Sequence, residues 1–100
     1  MRIIEIKATN IVMTPAIKDY TDKRLSTLVN MCERYSPCDV TVEVGKTSQH
    51  HHKGEVFFAE FNMVIPGATL RATSTKDDLY AAIDDAKDEL KRQLVDRKER

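Results

Sequence analysis

The sequence has no excess of charge of either sign: sixteen Lys and Arg balance sixteen Asp and Glu over 100 residues. A strongly basic chain announces a polyanionic partner by its sum, and here only the distribution of charge can do so. Glycine is scarce, three in all, which leaves no Gly-rich phosphate cradle. A nucleophile elbow and an HExxH pair are also missing. The two cysteines, Cys32 and Cys38, lack the short spacing of a zinc knuckle. No run approaches the roughly 18 apolar residues of a membrane span, and Met1-Arg2-Ile3-Ile4-Glu5 lacks the apolar stretch of a signal peptide. A cytoplasmic protein with reduced thiols is therefore expected, with no membrane partner. There is no linker, repeat or low-complexity tract, so residues 1–100 are expected to form one domain.

What is present suffices for a modest core: 41% of residues are hydrophobic and 32% charged. Arg2 to Ala8 is β-branched and partly alternating, with Ile4, Ile6 and Ala8 predicted on one face. Thr14-Pro15 reads as a cap and first residue of a helix. Ile17, Thr21, Leu25, Leu28 and Cys32 carry its apolar stripe to about Tyr35, where Ser36-Pro37 stops it. Val40, Val42 and Val44 share one strand face. Phe57, Ala59, Phe61, Met63 and Ile65 line another, Pro66-Gly67 turns the chain, and Leu70 and Ala72 continue the buried face. A last helix from near Asp77 bears Leu79, Ile83, Ala86, Leu90 and Leu94. The expected fold is α+β in the order β-α-β-β-β-α: a four-stranded sheet with two helices packed on one face and its first two strands parallel.

Charge is polarised within the last helix. Asp77 to Glu89 holds six acids and one base, and Leu90 to Arg100 five bases and two acids. This matches the helix macrodipole, each well-placed charge being worth about 0.3–1 kcal/mol. Tyr80, Lys87, Lys91 and Lys98 also fall within roughly 40° of one another, three lysines along about 16 Å of helix. Such a row suits a nucleic-acid backbone, which needs cations at intervals and no particular base. It equally suits a solvated face with pairs such as Asp84–Lys87 and Asp88–Lys91. Tyr80 reads as a packing residue. His50-His51-His52, adjacent on an extended loop, cannot all aim at one ion, so no metal or cofactor is expected. Carboxylates cluster on exposed helix faces, where catalytic pKa values do not arise, so neither an enzyme nor a small-molecule substrate is expected.

Asp78-Leu79-Tyr80-Ala81-Ala82-Ile83-Asp84, followed by Leu90-Lys91-Arg92-Gln93-Leu94, resembles the second-helix signature of the ribosome hibernation promoting factor family. Thr14 to Ile17 and the stretch from Gly54 to Ala72 fit the same family. The resemblance implies a fold like a double-stranded-RNA-binding domain. It implies binding to the small ribosomal subunit and its rRNA, in the channel of mRNA and of A- and P-site tRNA, during stationary phase or stress. By matched position it adds Arg24, Arg92 and Lys98 to the cations given by geometry. The candidate RNA-binding set is Lys18, Lys23, Arg24, Arg71, Lys87, Lys91, Arg92 and Lys98. Thr27 and Glu89 stand where members commonly carry lysine, which implies weaker binding. The length resembles the short form of the family. A general double-stranded RNA binder, and a protein-interaction or metal-responsive module using the histidine loop, remain as alternatives.

Overall fold

A computed structural model describes residues 1–47 and 56–98; the run His50-His51-His52 lies outside them. Period-two alternation builds the sheet. Strand β1 (Arg2–Thr9) runs parallel to β2 (Asp39–Lys46), and β3 (Phe57–Ile65) and β4 (Ala68–Lys76) follow antiparallel, in the order β1-β2-β3-β4. The register sets Val42 opposite Phe61, and Phe61 opposite Ala72. Val40, Val44, Ala59, Met63 and Ile65 are buried on the same face, as their alternation requires. Gly67 turns the chain at φ 83°, a conformation that Pro66 prepares and that glycine adopts without strain. Gly45 meets a different demand: a Cβ there would lie 2.0 Å from the Thr9 carbonyl oxygen, so the close approach of β1 excludes a side chain.

Strand β1 departs from its expected pattern. The pairing shifts between Ile3 and Glu5, and Ile4 is left 51% exposed. Ile3, not Ile4, packs on the core with Ile6. Ile3 and Ile6 are an odd number of residues apart, so only an extra residue between them lets both face inward.

The first helix is also shorter than expected. Thr14 Oγ1 accepts a hydrogen bond from the Ile17 N–H at 3.1 Å, and Pro15 opens the helix. Helix α1 (Pro15–Ser26) then ends nine residues short of Tyr35. A four-residue helix α2 (Val29–Cys32) and a 3-10 turn (Glu33–Tyr35) complete the segment. Ser26 Oγ donates to the Lys23 carbonyl at 2.6 Å, and Thr27 Oγ1 to the Arg24 carbonyl at 2.7 Å. Both hydroxyls compete with the backbone ladder at the break. Leu25, Leu28 and Cys32 all stay buried across it, so the hydrophobic spacing conceals the interruption.

Helix α3 (Leu79–Lys98) lies on the same sheet face and buries Leu79, Ala82, Ile83, Ala86, Leu90 and Leu94. Asp78 caps it, its carboxylate accepting from the Ala81 N–H at 3.0 Å. Cys32 and Cys38 are free and buried. Burial first, then the neighbouring Cys38, pushes the Cys32 thiol up to about 12, which keeps it protonated and unreactive. Among the described residues, no helix is long and apolar enough to cross a membrane, and no three His, Cys, Asp or Glu side chains group as metal ligands.

Candidate nucleic-acid interface

The buried stripe of α3 divides its remaining residues into two flanks at about 100° per residue. One flank carries Tyr80, Asp84, Lys87, Lys91 and Lys98 and lies towards α1. The other carries Asp85, Glu89, Arg92 and Asp96 and lies towards β4, where Ser74 Oγ donates to Asp85 at 2.7 Å and Gln93 donates to the Arg71 carbonyl at 2.8 Å.

On the first flank, Tyr80 packs edge-on against Tyr20 of α1, ring centroids 4.8 Å apart. The Tyr20 hydroxyl donates to Asp84 Oδ2 at 2.7 Å. Arg24 stacks over the Tyr20 ring at 5.0 Å and brings its Nε to 2.9 Å from Asp84 Oδ1. That oxygen is shielded from water and has no well-aligned hydrogen-bond donor, so its contact with Arg24 is ionic. Tyr20 first, and then Asp84, holds the Arg24 guanidinium above its ordinary value. These four side chains tie α1 to α3. Asp84 breaks the lysine row in sequence, but in space its charge is met by Arg24 and not by Lys87.

Lys87 is less available than its place in the row suggests. Its side chain is only 15% exposed, and Nζ lies 2.6 Å from Asp88 Oδ1. Neither expected intrahelical pair forms: Asp84 turns to α1 and Asp88 to Lys87. Lys91 and Lys98 are exposed. On α1, Lys18 is 3.4 Å from Asp22. Lys23 is exposed and, like Lys91, has no ion-pair partner among the described residues.

The remaining two candidates lie elsewhere. Arg92 is held by Glu89 at 2.6 Å and by Asp96 at 2.7 Å. Hydrogen bonds from Arg92 and then Gln93 lower the Glu89 carboxyl to about 2. Arg71 on β4 pairs with Glu60 at 2.6 Å. Arg71 and Arg92 share an open cleft with Asp85, Asp88 and Glu89, an acidic setting. Exposed pairs of this kind are worth about 0–1 kcal/mol, so they bias these cations without sequestering them. The fold thus brings Lys23, Arg24, Lys87, Lys91 and Lys98 to the α1 side of α3. It leaves Arg71 and Arg92 on the other side, and Lys18 engaged within its own helix.

Lys23, Lys91 and Lys98, none of them ion-paired among the described residues, thus lie on one side of α3. The profile of the Sigma 54 modulation protein / S30EA ribosomal protein family matches residues 4–100. The chain belongs to that family. Among the relatives of this S30EA-family chain, the ribosome hibernation promotion factor of Deinococcus radiodurans is 31% identical over 94 residues, 94% of this chain and 48% of that protein. The chain thus spans about half the length of that relative. The ribosome hibernation promoting factor of Klebsiella oxytoca is 29% identical over 97 residues, 97% of this chain and 94% of that protein. The Protein Y N-terminal domain of Thermus thermophilus superimposes with a TM-score of 0.73 at 30% identity, covering 94% of this chain and 96% of that one.

Sequence reasoning missed Tyr20 and Asp84 as the link between the helices. Tyr20 precedes Arg24 by one helical turn, and that spacing was the available signal. Nothing in the sequence pairs either residue with Asp84, which is sixty or more positions away.

Proposed function

We propose that this chain is a non-enzymatic regulator of translation that associates with ribosomes in the cytoplasm. It binds the small subunit in the channel of mRNA and of A- and P-site tRNA, and it keeps ribosomes inactive during stationary phase or stress. Family membership over residues 4–100 carries this reading, supported by relatives whose names state ribosome hibernation. The mechanism is occupancy. Lys23, Lys91 and Lys98 meet rRNA phosphates, and Arg24 and Lys87 join once a phosphate outcompetes Asp84 and Asp88. Phosphate contacts position the domain, and RNA shape supplies specificity. The domain acts without a metal or small-molecule substrate.

The test is sedimentation of stationary-phase lysate through a sucrose gradient. The wild-type chain is expected with the small subunit or whole ribosomes, and a Lys87→Glu/Lys91→Glu/Lys98→Glu variant at the top of the gradient at physiological salt. Unchanged cosedimentation of the variant would remove the mechanism. A second reading, general duplex-RNA binding by a domain resembling a double-stranded-RNA-binding fold, is favoured by cations spaced for backbone alone.

A further inference from the structure

Because α1 stops at Ser26, α2 and the 3-10 turn lay Asn30, Met31, Arg34 and Tyr35 against Leu94 and Lys98 near the end of α3. These six residues line a groove of about 240 Å³. Leu94 is fully shielded from water at its floor, Met31 and Tyr35 are half-buried and packed on the core, and Asn30, Arg34 and Lys98 are exposed around it. Among the described residues no carboxylate lines it, whereas the cleft on the opposite flank holds Asp85, Asp88 and Glu89.

An apolar floor, one aromatic ring, one amide and two cations answer the separate needs of a nucleotide. The base needs a flat apolar surface, its edge needs a donor and acceptor, and the phosphates need positive charge. The volume falls below the about 300–1,000 Å³ of a pocket for a drug-sized ligand, and so suits a single ring system. Lys98 belongs both to the lysine row and to the groove, so a strand that follows Lys91 to Lys98 arrives at the opening.

We propose that this groove receives one unstacked nucleotide of a single-stranded RNA segment, its base against Tyr35 and Met31 and its phosphates between Arg34 and Lys98. The proposal rests on the RNA-binding reading above and deepens it: the lysine row takes backbone, and the groove takes a base.

The test uses the full chain and a short single-stranded RNA carrying 2-aminopurine, with a duplex of the same sequence as control. Saturable quenching of the single strand is expected. Tyr35→Leu, which keeps an apolar side chain on the core, is expected to lose about tenfold in single-strand affinity and none in duplex affinity. Arg34→Gln alters an exposed position and is expected to weaken the quench without disturbing the fold. Equal losses on strand and duplex, or no loss with either variant, would overturn the proposal. Displacement of the strand by stoichiometric adenosine monophosphate would overturn it in favour of a free nucleotide. The probe is free RNA, so failed ribosome cosedimentation would strike the ribosome reading alone. An unquenched probe beside intact cosedimentation would strike only the groove.

Discussion

Glu89 accepts hydrogen bonds from Arg92 and Gln93, which hold its carboxyl at about 2 against an ordinary 4.5. A carboxyl depressed in the folded state contributes stability that is fully present above its unfolded value and is lost as pH falls through the folded one. Its contribution is therefore complete above about pH 4.5 and disappears towards pH 2. Glu89→Gln is expected to lower the urea midpoint at neutral pH, and its curve is expected to converge on that of the wild type as pH falls through about 2. Midpoints measured across that range check the sign. The same residue shows what a single position can hide. Read alone, Glu89 is an acid close to the bases Lys91 and Arg92. In place, it holds Arg92 in a local cluster with Asp96, so this one residue lowers the availability of that cation.

At the scale of elements, two junctions depend on close approach. Gly45 lies opposite Thr9 in the parallel pair of β1 and β2, with the Thr9 carbonyl in the space a Cβ would take. Gly45→Ala must push the parallel pair apart, and a loss of about 1–3 kcal/mol is expected in chemical unfolding. Gly67→Ala, with open space around it, is expected to cost only its backbone strain. The α1–α3 junction depends on Tyr20, whose hydroxyl reaches Asp84. Tyr20→Phe keeps the ring contact with Tyr80 and removes the hydrogen bond, at a cost of about 1–2 kcal/mol. Amide exchange is expected to quicken in α1 before it does in the sheet. The strands were legible because their alternation is local: Val40, Val42 and Val44 on β2 and Phe57 to Ile65 on β3 form as read. The break after Ser26 was not, because Leu25, Leu28 and Cys32 keep one buried stripe across it. The bulge at Ile4 was hidden too, since either Ile3 or Ile4 satisfies a partly alternating run until β2 supplies the register.

The whole molecule is neutral in sum and divided in space. Lys23, Lys91 and Lys98 lie on the α1 side of α3, and Asp85, Glu89 and Asp96 line the β4 side. Each phosphate neutralised adds roughly 0.7–0.9 to the salt slope. Few contacts therefore mean weak binding to arbitrary RNA with a shallow salt dependence, with shape left to supply preference for one partner. Ribosome binding is expected to persist in excess duplex RNA and to fall when tRNA fills the A and P sites; cosedimentation with each competitor decides between the two readings. Part of the candidate site was legible in this sense: the spacing of Lys87, Lys91 and Lys98 placed them on one flank of α3. Helical periodicity could not tell which acids would claim which bases. The sequence by itself determined the strands, the last helix, the sheet face they bury and the row of lysines, because period-two and period-3.6 patterns act through near neighbours along the chain. Only the tertiary structure decided that Asp84 belongs to Arg24, that Arg71 and Arg92 turn away from the lysines, and that a groove opens beside Tyr35. Those pairings join residues far apart in the chain, and Coulomb attraction and packing act on distance in space, not on separation in sequence.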